Sequence, residues 1–186
     1  MASSYAIAFE VSRPADYPAR MIPLFLGLSI ANMTALLLAV GLGYAGVSGG
    51  GGLRAWHMLS GAIAVLLCIA VHCVVFTYFI ATAKWIQHAV TVKGLPDTYS
   101  SPTRSFKAQA FPAALCAMGS VFIAAMFGAA TDNQMVATTW HHLMALGALA
   151  VNLGAAVLEY AAIGRNGRLI DRILGEAAAN DLISQA

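Results

Sequence analysis

Histidine is costly inside a bilayer, and where it occurs there it usually faces the bundle interior, to pair, bind a cofactor or handle protons. Five histidines stand in this chain, and four of them, His57, His72, His141 and His142, fall inside long apolar runs. Two open those runs in similar words, Trp56-His57-Met58-Leu59-Ser60-Gly61-Ala62 and Trp140-His141-His142-Leu143 followed by Gly147-Ala148. On parallel helices this puts two Trp-His pairs at one depth. Beside an aromatic belt, His57 and His141 read either as interfacial imidazoles reaching water and headgroups or as a facing pair. Facing neutral imidazoles ligate iron from opposite sides of a haem. The positive end of the helix dipole near both disfavours imidazolium and so favours the ligating form. His142 is the alternative to His141, since the two point about 100° apart.

His72 lies about 22 Å deeper than His57 and only about 60° around the axis, so the two cannot share one metal. They share a face with Gly61, Ala64 and Cys68, small enough to admit a planar group or a close helix contact. On the last apolar run His141, Asn152 and Glu159 fall within about 20° of one another. Glu159 comes out roughly one turn deeper than His72, which suits a link through a water or a quinone. The plainer readings are that Glu159 reaches the inner interface near Tyr160, that His72 makes a structural hydrogen bond, and that Asn32 and Asn152 bond between helices. Tyr78, Lys84 and Trp85 read as an inner-interface anchor, with His88 beyond the hydrocarbon.

Met58, Met135 and Met144 near the outer histidines raise copper as a second possibility, because thioether and imidazole suit Cu(I). Zinc would need His57, His141, His142 and Asp132 together, with the intervening loop folded back. Cys68, Cys73 and Cys116 form neither a C-x-x-C pair nor a c-type haem attachment sequence, and read as small buried hydrophobes. A phosphate-cradling glycine loop, a nucleophile elbow and H-E-x-x-H are all missing from the sequence.

The elements that must position these residues follow from composition: 60% of the 186 residues are hydrophobic and 10% charged, too lopsided for an ordinary soluble domain. A helix needs roughly 20 mostly apolar residues to cross about 30 Å of hydrocarbon. Four segments qualify, about Ile22 to Tyr44, Trp56 to Ile80, Phe111 to Ala130 and His141 to Ile163. The expected fold is an all-α membrane four-helix bundle forming a single domain over 1–186. All ten Lys and Arg except Arg54 fall on one side, which places both termini in the cytoplasm. A net charge of +2 placed where topology asks for it gives no reason to expect nucleic acid as a partner. The first span is expected to be retained rather than cleaved as a secretory signal.

Pro14 and Pro18 suggest an irregular cytoplasmic lead-in, with Pro23 in the first turn of helix one. The run 47–52 reads as a flexible connector. Helix two is expected to continue to Gly94-Leu95-Pro96. After Gly164-Arg165-Asn166-Gly167 a short amphipathic tail helix, 164–186, is expected on the membrane surface or on a partner. The matching starts of helices two and four suggest duplication of a helical hairpin.

Four spans with histidines paired on helices two and four resemble the b-type cytochrome membrane subunits that pass electrons between haem and quinone. The resemblance implies haem b held by His57 and His141, with His72 and Glu159 at a quinone or proton route. It departs from two-haem members because helix four carries Glu159 and no second deep histidine; a tetrapyrrole on His72 alone stays open. The setting implied is a bacterial inner membrane, in a homo-oligomer or larger complex. The rival expectation is a noncatalytic assembly subunit whose histidines bond between helices, with Gly119, Gly128, Gly147 and Gly154 allowing close packing.

Overall fold

In hydrocarbon no water satisfies the peptide groups, so an apolar chain closes its backbone hydrogen bonds within helices. The computed structural model describes residues 16–49 and 51–185. These form α1 (Asp16–Gly49), α2 (Gly51–Lys93), a 3₁₀ turn (Asp97–Tyr99), α3 (Pro102–Asp132) and α4 (Thr138–Gln185). The four α-helices are each long and apolar enough to cross a membrane. With 43 residues α2 runs about 65 Å, and α4 with 48 about 72 Å, each roughly twice the hydrocarbon thickness. Their far halves therefore form a helical extension on the side of the Gly94 loop. That side is called the loop end below, and the opposite one the histidine end.

Helix α2 stops where expected: Gly94 takes φ +61° and the Leu95 amide donates to the Val90 carbonyl at 3.0 Å, a left-handed C-cap that only glycine adopts without strain. Three other boundaries differ from the sequence expectation. The glycine run is helical except for Gly50, which lies outside the described residues, because helices propagate cooperatively once long flanking segments exist. Pro14 also lies outside them, whereas Pro18 is helical and Pro23 falls in the second turn of α1 rather than the first.

The third difference is the tail. No separate amphipathic helix follows residue 164; α4 continues through Gly164 and Gly167 without interruption. Tertiary contacts override the weak helix propensity there. Asn166 is buried and donates to Tyr78 Oη at 3.1 Å and Thr82 Oγ1 at 3.0 Å, and Gly167 is buried beside it. Leu169, Ile170 and Ile173 then enter the same core cluster as Ile86 and Val90. The apolar stripe read as a docking face is thus used within the chain, against α2. Tyr99 at the loop donates to the Glu176 carboxylate on α4, which raises the phenol above its ordinary pKa. Tyr78 is likewise no interfacial anchor: its ring is buried and its hydroxyl serves Asn166.

Helix α1 packs along α2 and α3 along α4; the hairpins meet through α2 with α3 and α1 with α4, and α2 touches α4 across the diagonal. Burial repeats between the hairpins. Met21, Phe25, Ser29, Asn32, Leu36 and Ala39 on α1 correspond in order to Phe106, Ala110, Ala114, Ala117, Val121 and Ala124 on α3. Ala64, Cys68, Val71, Val75 and Thr82 on α2 correspond to Ala148, Asn152, Ala155, Glu159 and Asn166 on α4, 84 residues apart like the bonded pair Cys68–Asn152. The burial of one hairpin thus recurs in the other, and the helices pair in an approximate two-fold arrangement, the pattern that duplication of a hairpin would leave.

The core is uneven along that axis. Toward the loop end it holds large side chains such as Phe25, Tyr78, Phe79, Phe106 and Ile86. Toward the histidine end it holds Ala64, Cys68, Ala124 and Ala148 with Leu36 and Val121. Among the described residues, no side chain is buried from Val40 to Ile63 or from Ala125 to Gly147.

Candidate functional site

His57 and His141 meet at the histidine end with ring centroids 6.0 Å apart and planes at 71°. Each is anchored in the same way by the other helix of its own hairpin. His57 Nδ1 lies 2.8 Å from the Ala39 carbonyl and His141 Nδ1 3.1 Å from the Ala124 carbonyl. A carbonyl oxygen only accepts, so each Nδ1 carries the hydrogen, and in the neutral ring each Nε2 keeps its lone pair. Both carbonyls lie four residues before a glycine. A Cβ on Gly43 would come within 3.0 Å of the His57 ring, and one on Gly128 within 3.0 Å of the His141 ring. Glycine at both places lets the imidazoles reach their carbonyls without crowding.

Metal-ligating histidines characteristically donate the other ring N–H to a carbonyl or carboxylate, which fixes tautomer and orientation. Two imidazoles on opposite sides of one metal, each nitrogen about 2 Å from it, hold their ring centroids roughly 6 Å apart. The observed spacing matches. The core beneath the pair is lined by small residues, Ala64, Cys68, Ala124 and Ala148, where the core of the loop end holds large ones.

His142 does not compete for this place, because its ring packs against Tyr44, tilted by 43° with centroids 4.8 Å apart, while lying 6.3 Å from His141. Asp132 is engaged by Arg54 at 2.8 Å, and no group of three or more His, Cys, Asp or Glu able to hold a metal occurs among the described residues. Met58 and Met135 are exposed, and Met144 packs against the small-residue core. His88 is exposed, as are Trp56 and Trp140 at the histidine end. Cys68 is the buried cysteine; Cys73 and Cys116 face outward.

Below the pair, Asn32 Nδ2 and Cys68 Sγ both donate to Asn152 Oδ1 at 3.2 Å, and Asn152 Nδ2 donates to the Ala148 and Ala117 carbonyls at 2.9 and 3.3 Å. The two asparagines thus bond between helices, as read from the sequence. Deeper still, His72 Nδ1 meets Glu159 Oε1 at 2.8 Å, both side chains buried. The contact is direct, where the sequence suggested an intervening water or quinone, and Glu159 does not reach the interface. His72 Nε2 and Glu159 Oε2 are buried without a hydrogen-bond partner.

The backbone carbonyls of Ala39 and Ala124 and the room made by Gly43 escaped the sequence, which marked Gly128 only as a packing glycine. Aligning the hairpins through Trp56 and Trp140 and allowing one extra residue in the first connector brings Gly43 opposite Gly128, and that was the available signal. A Cβ at Gly61, Gly119, Gly147 or Gly154 would meet nothing within 4 Å, so these four are not close-packing points within the chain. No family model, curated protein or solved structure matches this chain.

Proposed function

We propose that this chain is a membrane electron-transfer protein, or the electron-carrying subunit of a complex, that holds one b-type haem between α2 and α4 through His57 and His141. The carrying observation is the paired anchoring: two imidazoles 6.0 Å apart, each with Nδ1 committed to a carbonyl and each freed of steric conflict by a glycine. The repeat of the hairpin sets this device twice, once on each side of one axis, and so brings the two anchored rings face to face at one level. Haem supplies a one-electron redox change; the chain supplies ligands, orientation and a low-dielectric surround.

The distribution of Lys and Arg supports a cytoplasmic loop end with both termini inside, which puts the histidine pair near the outer face of a bacterial inner membrane. Exposed leucines on all four helices, such as Leu24, Leu66, Leu115 and Leu153, suit contact with lipid. A quinone or a second redox subunit is the exchange partner this setting favours.

Absorption spectra of the purified protein with metal analysis test the proposal. The expected result is a Soret band that sharpens on reduction, with one iron per chain; His57→Ala or His141→Ala abolishes it and His88→Ala leaves it intact. Protein without iron and without a Soret band, or one carrying copper or zinc at the same histidines, would overturn it.

A further inference from the structure

His72 and Glu159 break the repeat at a single level. Under the 84-residue shift that relates Cys68 to Asn152, His72 corresponds to Ala156 and Glu159 to Val75. Val75 is fully buried, and Ala156 packs against the same core cluster. The fold is therefore satisfied at these places by apolar side chains. A buried ion pair recovers its desolvation cost only when its remaining lone pairs and protons find partners. Here Nε2 and Oε2 find none. Both open atoms are proton acceptors, an imidazole nitrogen and a carboxylate oxygen. Phe25, Val71, Val75 and Phe79 fill the core cluster at this depth, so a planar cofactor on His72 has no room.

We propose that the His72–Glu159 pair is an intramembrane proton-binding site, which takes up one proton when an electron enters the bundle and returns it when the electron leaves. Only the link to an electron rests on the haem reading; the proton site does not. In the empty state Nδ1–H donates to the Glu159 carboxylate and the pair carries one negative charge. A proton added at Nε2 or Oε2, the two open atoms, makes the pair neutral. An electron placed higher in the same low-dielectric bundle favours that neutral state, and its removal favours release. The electron comes from an external reductant, and the proton from water at the loop end.

Other groups facing the pair are few. On α2 they are Cys68, which donates to Asn152, and Tyr78, whose hydroxyl accepts from Asn166. Among the described residues, the buried faces of α1 and α3 carry no titratable side chain, and that of α4 carries none besides Glu159. Tyr78, Thr82 and Asn166, about two turns further along, mark the polar route toward the loop end.

Redox titration of the haem-loaded full chain over a range of pH, with infrared difference spectra, tests this. The midpoint potential is expected to fall as pH rises, with a D₂O-sensitive carboxyl or imidazole band in the reduced-minus-oxidised spectrum. Glu159→Gln should remove both effects and keep the Soret band. The double variant His72→Ala/Glu159→Val copies the other hairpin, so it should fold and behave alike even if Glu159→Gln does not. A potential independent of pH, or equally dependent in wild type and double variant, overturns the coupling. Should the chain bind no haem, the acid-minus-alkaline infrared spectrum of the same protein decides the proton site separately. A carboxyl band missing from Glu159→Gln upholds it, and no such band overturns it.

Discussion

At Gly43 a single methyl group is enough to test how the imidazoles are held. The atoms it would crowd, Cε1 and Nδ1 of His57 at 3.0 Å, belong to a rigid ring already bonded to Ala39, so the ring must shift by a few tenths of an ångström against that bond. Gly43→Ala is expected to lower the ratio of Soret absorbance to protein several-fold. Gly61→Ala, where a Cβ meets nothing within 4 Å, should leave the ratio unchanged. Equal loss in both would mean that the glycine makes no room for the ligand. The histidines and Glu159 were legible in the sequence because ionisable side chains are rare in lipid, and helical arithmetic put them on inward faces. Their partners were not: a backbone carbonyl has no letter of its own, and whether it meets a ring depends on how closely two helices approach. The direct His72–Glu159 contact was hidden for a related reason, since an estimate of one turn between them neglects the reach of both side chains.

Helix α4 carries the clearest test at the scale of elements, because two glycines and an asparagine sit in the interior of a helix that the sequence seemed to end. In a helix interior alanine is favoured over glycine by about 0.5–1 kcal/mol. At Gly164 an added Cβ makes only an ordinary 3.7 Å contact with Arg168. Gly164→Ala should therefore raise stability by roughly that amount in detergent unfolding. A loss of stability would point to a chain break there. The cores of the four spans were legible from apolar length alone. Their ends were not, since charges mark where hydrocarbon stops and not where a helix stops, and the contacts of Asn166 with Tyr78 and Thr82 outweigh local propensity.

For the whole molecule, the approximate two-fold arrangement makes each hairpin half of the site, since His57 and Gly43 come from one and His141 and Gly128 from the other. Chains divided in the loop between Lys93 and Pro102 and co-expressed are expected to restore the Soret band, with neither half showing it alone. A band from one half by itself would mean that the ligands do not lie across the hairpin interface. Arg54 and Asp132 also join the hairpins, at 2.8 Å, but both side chains are largely exposed. Arg54→Ala should consequently cost less than about 1 kcal/mol in detergent unfolding, with the Soret band retained. The repeat was only partly legible, because its buried positions keep their spacing while their residue types diverge, as Asn32 against Ala117 and Cys68 against Asn152 show.

Low-temperature electron paramagnetic resonance of the oxidised protein tests the central claim most directly, because it reports the ligands on both sides of an iron at once. Two axial imidazoles predict a low-spin ferric signal, lost with the haem in His57→Ala and in His141→Ala alike. A high-spin signal in the wild type, a copper signal in its place, or a low-spin signal indifferent to either substitution would contradict a haem held between these two histidines.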